Sequence, residues 1–226
     1  MSEDAKREIL ASIAAALASS RELEGDPPPL DPSTSRCAVP TIAATERLSR
    51  FRGMLERVGA GCTVVANLED AATAVRDTLR EAGAEKVAVS NADVVSELAQ
   101  RLEGVALVDD LGDRAALLDC PAGLTTAQFG IAETGTLVLV SSAETHRLVS
   151  LLPPLHVAVL RESRILGTLD DALKVVGPDG DATEISRAIT FVTGPSRTAD
   201  IELTLVVGVH GPKHLQVIVV REEDSA

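Results

Sequence analysis

Between residues 41 and 108, short apolar runs alternate with helical patterns, and no other feature constrains the fold as much. Residues 41–58 place Ile42, Leu48, Phe51, Leu55 and Val58 on one side of a helix, which Gly59 and Gly61 end. Residues 63–66 read as a strand, 69–82 as a helix stopped by Gly83, and 86–90 as a strand. Residues 92–102 read as a helix, and 105–108 as a strand running into Asp109 and Asp110. Strands alternating with helices of this length form a parallel sheet flanked by helices, so the expected class is α/β. The runs are apolar throughout rather than alternating, as when both faces of a sheet are covered.

Beyond residue 112 strand signals crowd together, making the second half strand-rich. Residues 137–140, 157–160, 189–193, 203–207 and 217–220 are short and apolar, with one helix at 169–175. These strands are expected to extend the same sheet, some of them antiparallel. At the other end, residues 1–20 read as a helix capped by Ser2, with Ile9, Leu10, Ile13 and Leu17 forming an apolar stripe. That stripe is expected to dock on its own domain, a second copy or a partner. The prolines at 27, 28, 29 and 32 favour an extended linker at about 21–40. The expected organisation is an arm and linker at 1–40 and an α/β domain at 41–222.

A chain of 226 residues buries a full core without disulfides or metal. It has no apolar run long enough to span a bilayer and no basic-then-apolar leader, so a cytoplasmic location without membrane insertion is expected. Cys37, Cys62 and Cys120 are far apart and form no CxxC. This argues against a disulfide framework and against a zinc or iron–sulfur site held by this chain alone. The net charge of −13 repels nucleic acid and anionic membrane, and the absence of Trp and Tyr removes base-stacking platforms. An anionic small substrate then needs a local basic pocket. No GxGxxG or GxxxxGK[ST] loop is present. Asn67, Ser90, Asn91 and Asp109 fall at carboxyl ends of strands, where open parallel sheets bind ligands. They are also ordinary turn and N-cap residues, and that reading carries the greater weight.

Four clusters carry the candidate chemistry. The first is Gly130-Ile131-Ala132-Glu133-Thr134-Gly135-Thr136, ahead of an apolar strand. Either Glu133 faces a ligand, as a base or nucleophile, with Gly130, Thr134, Gly135 and Thr136 around it, or it caps neighbouring amides while the glycines turn the chain. The second cluster is Thr145-His146-Arg147, a basic pair at a helix start or in a solvated loop. The third spans 193–202. There Gly194, Pro195 and Ser196 turn backbone amides toward an anion, Arg197 adds a cationic fork, and Asp200 and Glu202 share one side of an extended chain. Those acids are an acid–base pair or the partners of Arg197. The fourth cluster is Gly208-Val209-His210-Gly211-Pro212-Lys213. His210 and His214 have helical metal-ligand spacing, but Gly211 and Pro212 forbid the helix, so no metal is assigned. His156 reads as a satisfied core histidine.

These clusters, with Arg147-Leu148-Val149-Ser150-Leu151-Leu152-Pro153-Pro154-Leu155-His156, resemble the lactate utilisation protein C family, the LUD domain, over roughly 41–220. The resemblance implies a three-layer α/β fold like that of the sugar-phosphate isomerase and CoA-transferase superfamily. It also implies a non-redox role in bacterial oxidation of L-lactate to pyruvate, beside iron–sulfur and cysteine-rich subunits that carry the clusters. From the residues themselves, and not from the resemblance, Arg197 and Ser196, helped by His146, His210 and Lys213, are expected to bind the organic-acid anion. Two alternatives stay open: a stand-alone CoA-transferase-like or phosphosugar-type enzyme using Glu133, and a structural or regulatory binding module. Homo-oligomerisation is compatible with each.

Overall fold

The computed structural model describes residues 3–23, 41–109, 114–141, 147–176, 188–199 and 205–221. The chain divides into two compact units, Met1–Val39 and Pro40–Ala226. The first holds α1 (Glu3–Leu23), a helix where the amphipathic pattern places one; the expected cap, Ser2, lies outside the described residues.

The second unit begins with α2 (Ala44–Arg57), β1 (Gly61–Val65), α3 (Leu68–Glu81), β2 (Lys86–Val89), α4 (Asp93–Ala99), β3 (Ala106–Val108) and α5 (Arg114–Leu118). Then come β4 (Ala122–Thr126), β5 (Phe129–Ile131), β6 (Thr136–Val140), β7 (Leu155–Arg161), β8 (Ile165–Leu166) and α6 (Leu169–Val176). The last strands are β9 (Ile189–Val192), β10 (Arg197–Ala199), β11 (Leu205–Val207) and β12 (His214–Val220). Six strands form one sheet in the order β1-β12-β7-β4-β2-β3, and every pair in it is parallel.

Helices cover both faces of this sheet, which is why its strands are apolar on both sides. On one face Ala71, Val75 and Leu79 of α3 and Val95 and Leu98 of α4 pack against Val87, Leu124, Val157 and Ile218. On the other, Phe51 and Leu55 of α2 pack against Ala158, Leu160, Val217 and Val219. Asn67 is the N-cap of α3, its side chain accepting from the Asp70 amide at 2.9 Å. The cap reading of Asn67 is therefore realised.

The expectation that the later strands extend one sheet needs correction. β4, β7 and β12 join the parallel sheet, but β8-β5-β6-β9 make a second, four-stranded sheet, and β10 and β11 pair as an antiparallel ribbon. The reason lies in the partners of β6. Leu137 and Leu139 pack in one core with Phe51 and Leu55 of α2, whereas Val138 and Val140 pack in another with Ala172 of α6. An apolar run buried on both faces looks the same in either sheet, so its pattern does not choose between them.

Candidate functional site

The last turn of α2 gathers two of the sequence clusters. Gly135 has φ +67°, and a Cβ there lies 2.7 Å from the Leu55 amide nitrogen. Gly194 has φ +85°, and a Cβ there lies 2.9 Å from the Val58 side chain. Both positions need positive φ and a bare Cα to let the helix approach. The Arg197 guanidinium donates to the Val58 carbonyl at 2.6 Å. A cation on the open carbonyls of a helix C-terminus is favourable in both hydrogen bonding and dipole.

The Glu133 turn is tied to α6. Glu133 Oε2 accepts from the Leu169 amide at 3.2 Å, and the Glu133 amide donates to the Gly167 carbonyl at 3.0 Å. The side chain thus caps a neighbouring amide. A run of hydroxyls leads away from the turn, with Thr134 Oγ1 and Thr193 Oγ1 each 2.7 Å from Thr136 Oγ1. The first and third clusters are thus joined through Thr136. Gly130 lies deeper, where a Cβ comes within 2.7 Å of Leu160.

The third and fourth clusters meet at the amino-terminal edge of the parallel sheet. The Ser196 amide donates to the Pro212 carbonyl, and the Gly208 amide to the Ser196 carbonyl, both at 2.9 Å. The Lys213 and His214 amides both donate to the Pro154 carbonyl, locking the starts of β12 and β7 together. The Lys213 stem lies over Gly208, where no Cβ fits. His210, Lys213 and Arg197 are exposed. Arg147, also exposed, opens a 3-10 turn (Arg147–Ser150), and the Ser150 hydroxyl donates to its carbonyl at 2.9 Å. The candidates His146, Asp200 and Glu202 lie outside the described residues. Among the described residues no group of three or more His, Cys, Asp or Glu is placed to hold a metal ion.

The sequence pattern of the LUD domain matches residues 48–220. The chain belongs to the LUD domain family. A stretch of 103 residues is 44% identical to lactate utilization protein C of Bacillus licheniformis, covering 44% of this chain and 42% of that protein. The matching stretch in lactate utilization protein C of Bacillus subtilis is 39% identical over 101 residues, with coverage of 44% and 42%. That of Deinococcus radiodurans is 42% identical over 100 residues, covering 44% and 46%. Each alignment spans less than half the length of the relative. The fold is similar to the crystal structure of a DUF162 family protein from Deinococcus radiodurans, with a TM-score of 0.61 and 28% identity. That superposition covers 79% of this chain and 99% of the other.

In this LUD domain the residues that strand-end reasoning weighed as caps take different places. Ser90, Asn91, Ser96 and Asp109 line an open pocket of about 370 Å³ beside α4, with Val89, Ala99 and Leu107 as apolar walls. Ser90 is buried and its hydroxyl has no hydrogen-bond partner. His156 is fully buried and only half satisfied: its Nε2 lies 2.8 Å from Thr125 Oγ1, while its Nδ1 has no partner. Burial alone pushes the imidazole down to about 4, so it is neutral at physiological pH. Thr125 escaped the sequence reading altogether. Its signal is faint: a hydroxyl in an apolar run, significant only because β4 lies between β2 and β7. Burial pushes the Cys62 thiol up to about 11, partly offset by Arg52, so it remains protonated.

Proposed function

We propose that this LUD domain serves lactate utilisation as a non-redox subunit, holding an organic-acid anion at the amino-terminal edge of its parallel sheet. The observation that carries this reading is the interlock of two glycine turns, through Ser196, Gly208 and Pro212. It brings Ser196, Arg197, His210 and Lys213 to one edge of a chain whose net charge is −13. Arg197 spends one N–H on Val58, and a guanidinium has five, so the rest of its fork is left for a carboxylate. The names of the relatives support the substrate class. Electron transfer falls to iron–sulfur and cysteine-rich partner subunits, because Cys37, Cys62 and Cys120 form no cluster-binding motif.

The test is to tag the chain in its host during growth on lactate and identify what co-purifies. Iron–sulfur and cysteine-rich subunits with lactate-oxidising activity are the expected result, with that activity reduced by Arg197→Ala. Recovery of the chain alone, with normal growth on lactate after deletion, overturns the reading.

A further inference from the structure

A second polar site lies under the face of the parallel sheet that carries α2. Ala88, Gly123, His156 and Leu215 are in register across β2, β4, β7 and β12. Side chains alternate along a strand, so Ser90 and Thr125 share this face two residues further on. The ladder continues to them, since the Ser90 amide donates to the Leu124 carbonyl at 3.1 Å. Ser90 and Thr125 are therefore neighbours on adjacent strands about 5 Å apart. Thr125 in turn holds His156. The surrounding residues of the face, Ala88, Gly123 and Ala158, are small. Three buried polar side chains thus form a track among small neighbours, with one orphan atom at each end: Ser90 Oγ and His156 Nδ1.

The orphans are the informative part. Thr125 and Nε2 share a single proton between them, so whichever donates, Nδ1 is left as a bare acceptor or an N–H without a partner. Buried polar atoms without partners are rare, because each forfeits hydration for nothing. Two flanking one hydroxyl call for a third party. Ser90 and Thr125 also lie at the carboxyl ends of their strands, the usual ligand edge of an open parallel sheet.

We propose that Ser90, Thr125 and His156 form a recognition site for the uncharged hydroxyl or carbonyl group of a small 2-hydroxy or 2-oxo acid. The ligand class rests on the lactate reading above, whereas the site rests on the geometry. The acid's carboxylate stays toward solvent, since three uncharged side chains cannot compensate a buried charge. Ser90 lines the open pocket beside α4, whereas Thr125 and His156 are closed off, with the Val149 carbonyl pressed against Gly123, so reaching them is coupled to local opening of the Arg147–Ser150 turn.

The test is imidazole NMR of the full chain labelled with 15N-histidine, titrated with L-lactate and with pyruvate. The expected result is a saturable shift of the His156 nitrogens, weakened roughly tenfold by Ser90→Ala. Ser90→Ala also raises Tm by roughly 2 °C, because it removes an unpaired buried hydroxyl. Failure of both acids to move His156 overturns the site. So does a Ser90→Ala variant that melts lower and binds unchanged, since Ser90 is then an ordinary core hydroxyl. Arg197→Ala separates the two readings. A His156 shift that survives it places the acid here, and a shift lost in Arg197→Ala but kept in Ser90→Ala assigns the acid to the amino edge and overturns this site.

Discussion

Arg197 closes the C-terminus of α2 from 139 residues away, its Nη2 donating to the Val58 carbonyl at 2.6 Å. The same side chain leans on Gly59, where φ is +81° and a Cβ lies 2.9 Å from Nη2. A residue read from sequence as an anion fork is thus also a helix cap. The two roles separate by substitution. Arg197→Ala is expected to cost about 0.5–1 kcal/mol, modest because the pair is exposed. Arg197→Lys restores most of that stability but loses the bidentate fork. Urea denaturation measures the first effect and lactate oxidation by the assembled complex the second. Full activity in Arg197→Lys counts against a carboxylate fork.

Gly135 and Gly83 make a matched pair. Both have positive φ, +67° and +64°, but a Cβ at Gly83 meets nothing within 4 Å, whereas one at Gly135 meets backbone of Met54 and Leu55. Gly83→Ala is expected to cost about 1 kcal/mol, the left-handed penalty alone. Gly135→Ala adds displacement of α2 and is expected to cost about 3 kcal/mol. Equal losses in chemical denaturation would mean that the helix yields freely.

Glu133 is expected to behave as a cap. Glu133→Ala removes the acceptor for the Leu169 amide and costs about 1 kcal/mol, while Glu133→Gln keeps an acceptor oxygen and stays within about 0.5 kcal/mol of the parent. Thermal melts of the two variants check this. An activity loss in Glu133→Gln at unchanged stability assigns the carboxylate a chemical role as well.

His156 predicts an acid-sensitive fold. Its imidazole takes up a proton near pH 4 when folded and near 6.5 when unfolded. Between those values the unfolded chain binds more protons, so stability rises with pH through the window and is full above it. About 3 kcal/mol is expected to be lost between pH 6.5 and 4. Urea denaturation in pH steps measures the slope, and His156→Gln is expected to flatten it. An identical slope in that variant removes His156 as the cause.

The local pattern of the chain was enough for the alternating first half. Apolar runs bounded by glycine, with amphipathic helices between, leave a parallel sheet covered on both faces as the only economical burial. Helix bounds such as Leu68–Glu81 agree with that reading to within a residue. The glycines at 135 and 194 were also legible as turns, because positive φ is a local property. What each turn approaches is not local. Only the tertiary structure set β6 in a second sheet, laid α2 across Gly135 and Gly194, and spent Arg197 on Val58. The same holds for Ser90, Thr125 and His156. Their spacing in sequence carries no signal, since strand order β7-β4-β2 alone makes them neighbours. Whether a buried polar atom finds a partner depends on what packs around it, and that is decided by contacts between segments far apart in the chain.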